Sequence, residues 1–472
     1  VRTLVTDAVV VPVDGRVDHL PAHDVLVEDG VIRAIVPTGT REHPGAEVID
    51  GRGCAVLPGL VNTHLHSWQT LLRGTGADWV TDDYFTRVHA GLARRLVPED
   101  NLDSTLLGMW GQLDAGTTTV FDWCHDNRTP AFSDHSVAAL RESGVRAVFG
   151  HGTVKPPPRP GEPHFSRVPH PRGEATRLRA ELADDSALVT LALCILGPDY
   201  STLEVTRADL ALAAELDLPT SAHVWGTANR LVADGYRVLE KEGLLSARHN
   251  LAHGNFLGDE ELAVLTGAGV SVTATPAAEI QGTPRRPLLE RVMRAGGTPA
   301  LGTDSEITTS ASMLETIRRS LDVERHHAVL ELDRLAEAGT DPALNARIAA
   351  SLEGIANAGG SLNERVSVTA MQALEWATIN GARALGMADR IGSLEPGKRA
   401  DLILVRLDDP NIAPATDPVG AVVTHAHSGN VDTVLVDGRV VKRDGRLLVR
   451  DRAREVGARL AERAAALAAE PG

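Results

Sequence analysis

The sequence predicts an α/β protein, a (β/α)8 TIM barrel with a small β-sandwich domain formed by both chain ends. Three observations predict it. The middle of the chain alternates short apolar runs with helical stretches, the pattern of a parallel sheet. Eight such runs can be placed, at 58–66, 116–125, 145–152, 188–196, 219–225, 248–254, 270–275 and 299–304. Short strand-like segments separated by turn signals occur at both chain ends. An open doubly wound sheet is the rival architecture, but no glycine-rich GxGxxG follows the first strand.

The amino-terminal segments are 4–11, 24–28 and 31–36, with Asp14-Gly15 and Asp29-Gly30 as turns. The same style returns at 400–405 and 433–441. One β domain built from both ends is the simplest account. The expected boundaries are 1–57 and 391–450 for its two parts, 58–390 for the barrel and 451–472 for a C-terminal helix. Within the barrel, Asp259 is a candidate N-cap for the helical stretch that follows it. Residues 155–175 begin with Lys155-Pro156-Pro157-Pro158-Arg159-Pro160-Gly161 and form an extended loop between strands three and four. Loops on that side of a barrel act as lids or are plain surface excursions. Residues 305–385 read as helical, with mobile patches at Gly339-Thr340-Asp341-Pro342 and Gly359-Gly360-Ser361. The last segment places Val456, Leu460, Ala464 and Leu467 on one stripe, a helix packed on the body or on a second subunit.

Composition narrows the class. The chain has 472 residues, 43% hydrophobic and 23% charged, which is globular rather than disordered. Aromatics are only 3%, so the core rests on aliphatic side chains. A formal net charge of −16 argues against nucleic acid or an anionic membrane as a partner. Cys54, Cys124 and Cys194 are scattered and odd in number, which suits a reducing cytoplasm. The first residues show no secretory pattern, and no apolar run is long enough to span a bilayer.

The chemistry-bearing residues cluster at strand ends. The first strand closes with Asn62-Thr63-His64-Leu65-His66. His223, His253 and Asp304 each end a later apolar run. In a parallel barrel these ends share one face, where active sites sit. Side chains on a strand alternate, so His64 and His66 point the same way into the barrel mouth. With His223 and Asp304 they make an N/O ligand set that suits Zn²⁺, with Fe²⁺ also compatible, better than Mg²⁺ or Ca²⁺. Such an ion lowers the pKa of bound water and generates hydroxide. A lone HxH is ordinarily surface or core histidine. Its coincidence with three further strand-end residues makes one divalent metal ion the expected cofactor.

Two stretches carry a family resemblance. Pro58-Gly59-Leu60-Val61-Asn62-Thr63-His64-Leu65-His66, with Leu71-Leu72-Arg73-Gly74 downstream, is similar to the first-strand signature of the amidohydrolase superfamily, in its cytosine deaminase, guanine deaminase and triazine hydrolase branch. So is the tail, Ala377-Thr378-Ile379-Asn380-Gly381-Ala382 and then 391–402. The resemblance spans almost the whole chain. It implies that His64, His66, His223 and Asp304 bind the metal, that His253 contacts the attacking water or the substrate, and that Asp304 accepts a proton. It also implies a single metal, since strand four has no lysine to bridge two. Cys124 and Cys194 read as small buried hydrophobes rather than ligands.

One departure bears on the chemistry. Deaminases that this chain resembles carry a glutamate three residues after the fifth-strand histidine, and here that position is Gly226. An acid/base group there is worth about 10²–10⁴ in rate. Glu279, in Thr275-Pro276-Ala277-Ala278-Glu279, is the candidate replacement; a loop glutamate in a salt bridge is the alternative. His125 is a candidate substrate or proton-transfer residue, or a core histidine. Trp68 and Trp225, and with them Trp79 or Tyr84, are candidates to stack on a flat ring. Gln69 is a candidate hydrogen-bond partner for a substrate heteroatom.

The expected activity is metal-dependent hydrolysis, foremost hydrolytic deamination of an aminated N-heterocycle by metal-bound hydroxide. Hydrolytic dechlorination and cyclic amide opening are alternatives, because Gly226 removes an acid. A non-hydrolytic lyase or isomerase on the same fold is a further one. The expected partners are a small heterocyclic substrate and, from the habit of the family, further copies of the chain in a dimer or larger homo-oligomer.

Overall fold

A computed structural model describes residues 2–40, 43–155, 160–224, 230–282, 286–337 and 367–469, with the isolated positions 342 and 346. The expected mobile patches around 339–342 and 359–361 fall outside it, position 342 excepted. All eight expected barrel strands form. They are Leu60–Leu65, Thr117–Cys124, Arg146–His151, Val189–Cys194, Thr220–Val224, His249–His253, Ser271–Ala274 and Pro299–Leu301. Each pairs parallel with the next in sequence order. A parallel bridge between Leu65 and Asp304 closes the ring, with the Thr303 amide donating to the His64 carbonyl at 3.0 Å and the His66 amide to the Asp304 carbonyl at 3.1 Å.

Side chains inside and helices outside cover both faces of these strands, which is why they read as continuous apolar runs. The helix Pro98–Asp114 starts with proline and a first-turn acid pair, Glu99 and Asp100, which suits the positive end of the helix dipole. Pro130–Ser143 ends at Gly144, whose φ of 78° is the left-handed stop that glycine adopts freely. The helix expected to be capped by Asp259 instead begins with it: Gly258 is the N-cap, and the Asp259 carboxylate turns away to Arg291 at 2.8 Å.

Gly302 explains how the last strand reaches the first. A Cβ there would lie 2.7 Å from both the Cβ and the carbonyl oxygen of His64. Only a residue without a side chain permits that approach.

Both chain ends build one nine-stranded mixed sheet, joined where Leu402–Arg406 runs antiparallel to Cys54–Pro58. Its apolar core includes Val5, Val25, Val56, Leu402 and Leu435. Arg146, at the start of the third barrel strand and 3% exposed, binds Asp401 at 2.6 Å and Asp437 at 3.0 Å. The Ala400-Asp401-Leu402 segment of the tail motif thus ties sheet to barrel, away from the strand ends that carry the histidines. The terminal helix Arg450–Ala469 buries Val456, Leu460 and Leu467. It lies on the body of the chain, with Arg459 bound to Asp103 and Arg463 to Asp100.

Candidate metal centre and active-site cavity

Four imidazoles and one carboxylate converge at the C-terminal mouth of the barrel. His64 and His66 leave strand one on the same side, with ring centroids 4.8 Å apart. The His223 ring lies 4.9 Å from His64 and 5.3 Å from His66. His253 lies 5.4 Å from His64. An Asp304 carboxylate oxygen is 3.3 Å from His66 Nε2 and 3.6 Å from His64 Nε2. The backbone is bent to achieve this: His253 has φ 68° and Asp304 φ 63°. Left-handed backbone is uncommon for a residue other than glycine, asparagine or aspartate, so His253 is the strained one of the two.

The donor atoms fit a cation. Those of His64, His66 and His223 lie within 4.8 Å of one another, as do those of His64, His253 and Asp304. His66 Nδ1 is 2.6 Å from the Trp123 carbonyl and must donate to it, which leaves the Nε2 lone pair facing the cluster. His223 Nε2 stands 3.3 Å from that lone pair. Both ring nitrogens of His64 are buried without a hydrogen-bond partner. A buried polar atom left in this state is costly, and a divalent ion shared by the cluster would satisfy the Nε2 that faces Asp304. Burial pushes the His64 pKa down to about 3 and that of His223 well below its usual value, so both are neutral ligands. Burial opposes charge on Asp304, but the imidazoles of His64, His66 and His253 beside it outweigh burial and hold the carboxyl well below the usual range.

A cavity opens beside the cluster. His66, His223, His253 and Asp304 form its floor; Trp79, Tyr84, Phe85, Tyr200 and Phe256 are among its walls; His125, Lys155 and Glu279 also face it. Glu279 is buried, its side chain 8% exposed. Its Oε1 accepts from the Thr275 amide at 2.8 Å, and its Oε2 accepts from Asn255 Nδ2 at 3.1 Å. The same carboxylate lies 3.5 Å from His253 Nδ1. Thr275 Oγ1 is 2.9 Å from that nitrogen and 3.3 Å from the carboxylate. Burial works against a charged His253, yet its hydrogen bond to Glu279 and the charge of Asp304 prevail, and its pKa is raised.

Two expected substrate contacts lie behind the wall instead. Trp68 is 1% exposed, packed edge-on to His89 and His125. Gln69 is fully buried, with its amide nitrogen donating to the Tyr84 hydroxyl at 2.7 Å and its oxygen accepting from Ser305 Oγ at 2.6 Å. Both belong to the turn Ser67–Leu72, which coils under the mouth rather than extending across it. Trp225 and Gly226 lie outside the described residues. Cys124 packs beside Asn101 and Ser136, and neither it nor Cys194 joins the histidine cluster. Lys155, Tyr200 and His89 escaped the sequence reading. Lys155 has the one signal that could have found it, a cation within four residues of a strand's C-terminal end.

A family model for amidohydrolases matches residues 55–441, most of the chain. The chain belongs to the amidohydrolase family. As a member it is a hydrolase acting on carbon–nitrogen bonds other than peptide bonds. Among its relatives is the 5-methylthioadenosine/S-adenosylhomocysteine deaminase of Symbiobacterium thermophilum, 30% identical over 94% of each chain. The 5'-deoxyadenosine deaminase of Methanothermobacter thermautotrophicus is 29% identical over 90% of each. An adenosine deaminase of Xanthomonas campestris, solved with bound zinc, superposes with a TM-score of 0.75 and 25% identity over 98% of each chain. An atrazine chlorohydrolase of Arthrobacter aurescens, solved with zinc, gives a TM-score of 0.77 at 22% identity, covering 98% of this amidohydrolase and 99% of that chain, and shares the fold. No helix among the described residues is long and apolar enough to cross a membrane.

Proposed function

We propose that this amidohydrolase is a zinc-dependent hydrolytic deaminase of an aminated N-heterocycle. The observation that carries the reading is the convergence of His64, His66, His223, His253 and Asp304 on one point in an aromatic-walled cavity, in a chain whose relatives are named as adenosine-type deaminases. His64, His66, His223 and Asp304 would hold the ion. When bound, it supplies a Lewis acid that makes water nucleophilic near neutral pH.

The side chains divide the remaining work. Asp304 takes the proton that attacking water must lose. His253 faces the reacting atoms through Nε2, because Nδ1 is committed to Thr275 and Glu279. Glu279 acts through that imidazole: its carboxylate holds the ring in one orientation and stabilises it when protonated. The His253–Glu279 pair thereby does the acid/base work of the glutamate that is absent at Gly226. Protonated His253 then supplies the proton that lets ammonia leave. His125, at the cavity wall, holds the heterocycle, with Trp225 after strand five a second candidate for stacking on it.

All three cysteines are buried and free of disulfides, which suits a reducing cytoplasm. A homo-oligomer is the expected assembly. Ammonia release from a panel of aminated purines, pyrimidines and triazines by zinc-loaded protein tests the reading. Gly226 favours one other outcome, a leaving group such as chloride that needs no proton, and chloride release without ammonia would replace deamination with dechlorination. Products lacking solvent ¹⁸O would replace hydrolysis altogether.

A further inference from the structure

We propose that Lys155 anchors an ionised acidic substituent of the substrate, so that the heterocycle taken by this cavity is an anion. The inference rests on the deaminase reading of the cavity and adds the charge and orientation of what it binds.

Lys155 lines the same cavity as His66, His223 and Asp304. Its ammonium lies over the Tyr200 ring, 4.4 Å from the centroid, and 5.9 Å from that of Trp123. Among the described residues no carboxylate pairs with it. Burial accordingly weakens its hold on the proton, lowering its pKa to about 8. Removing an ammonium from water is costly, and aromatic faces return only part of that cost. Among the described residues this cation faces the ligand space without a counter-charge.

The topology gives that charge a direction. Lys155 follows strand three and Tyr200 follows strand four. The cavity's acids, Glu279 and Asp304, follow strands seven and eight. Four strands apart in a ring of eight is the opposite side. Both acids are already engaged, Asp304 by His64 and His66 and Glu279 by Thr275 and Asn255. The Lys155 ammonium therefore draws an anionic substituent to its own side of the mouth. The acidic group of the substrate then lies toward strands three and four, and its amino-bearing carbon faces the histidines.

The test uses the zinc-loaded full chain and two probes of equal shape, 2-aminopyrimidine-5-carboxylate and 2-aminopyrimidine-5-carboxamide, with dissociation constants from calorimetry. Wild type is expected to bind the carboxylate at least about tenfold more tightly. Lys155→Met should erase that preference with zinc stoichiometry unchanged, while Lys155→Arg retains it. Equal affinities in wild type, a preference that survives Lys155→Met, or no saturable binding of either probe overturns the proposal. Ammonia release separates the two readings: a chain that deaminates neutral heterocycles but shows no charge preference loses this inference and keeps the deaminase one.

Discussion

Replacing Glu279 with glutamine probes the mechanism most directly. The substitution keeps size and shape but removes the charge and one acceptor. In the native chain the carboxylate accepts from the Thr275 amide at 2.8 Å and from Asn255 at 3.1 Å, and it faces His253 Nδ1 at 3.5 Å. A glutamine oxygen still serves one backbone or side-chain donor. Its NH₂ end, however, must confront Asn255 Nδ2 or the His253 side, and neither needs a second donor. A hydrogen bond to a charged group is worth about 1.5–3 kcal/mol. Lost from the protonated state of His253, that energy corresponds to roughly a 10–100-fold fall in kcat, at about 1.4 kcal/mol per decade. Glu279 is not one of the four proposed metal ligands, so zinc content should not change. The assay is ammonia release by zinc-loaded wild type and E279Q, beside metal analysis of both. E279Q with full zinc and turnover within about twofold of wild type would remove the His253–Glu279 pair from the reaction.

Three further outcomes are expected. Stripping the metal with a chelator should abolish turnover and lower Tm, since His64 then keeps two buried unpaired nitrogens; activity that persists without metal contradicts the centre. Gly302→Ala should destabilise the chain by about 1–3 kcal/mol through overpacking and weaken zinc binding, because the new Cβ meets the His64 backbone and Cβ at 2.7–3.0 Å; native Tm and native zinc affinity would refute this. Asp209, buried and bonded to the His170 amide at 2.7 Å, has its pKa raised to about 7 mainly by burial. The folded state therefore binds more protons than the unfolded one between about pH 4 and 7, and stability falls as pH rises across that window. Asp209→Asn should gain Tm over wild type at pH 8 with a smaller gap at pH 5; a pH-independent gap would refute the assignment.

Much of this site could be read one residue at a time. His64, His66, His223, His253 and Asp304 were legible because each ends an apolar run, and the ends of parallel strands in a closed ring must meet on one face. Glu279 was legible for the same reason, as the first acid beyond strand seven. Its task was not. Whether a loop carboxylate faces substrate or stands behind a histidine depends on the Thr275 and Asn255 contacts, which no local pattern encodes. Trp68 and Gln69 show the converse failure. They follow the HxH strand directly, yet the turn Ser67–Leu72 rotates both into the wall. Lys155 stands at the root of a proline-rich loop, where the local pattern specifies an extended chain but not which way the lysine side chain turns.

The amino-acid sequence alone determined the order of strands and helices, the closure of eight strands into a ring and the donor set at its mouth. These follow from periodicity and from residue chemistry, which are local properties. Only the folded chain decided which side chains line the cavity, which nitrogen of His66 is free, and that a lysine stands opposite two acids. Such facts depend on rotations about single bonds in loops, and those are settled by packing against residues hundreds of positions away.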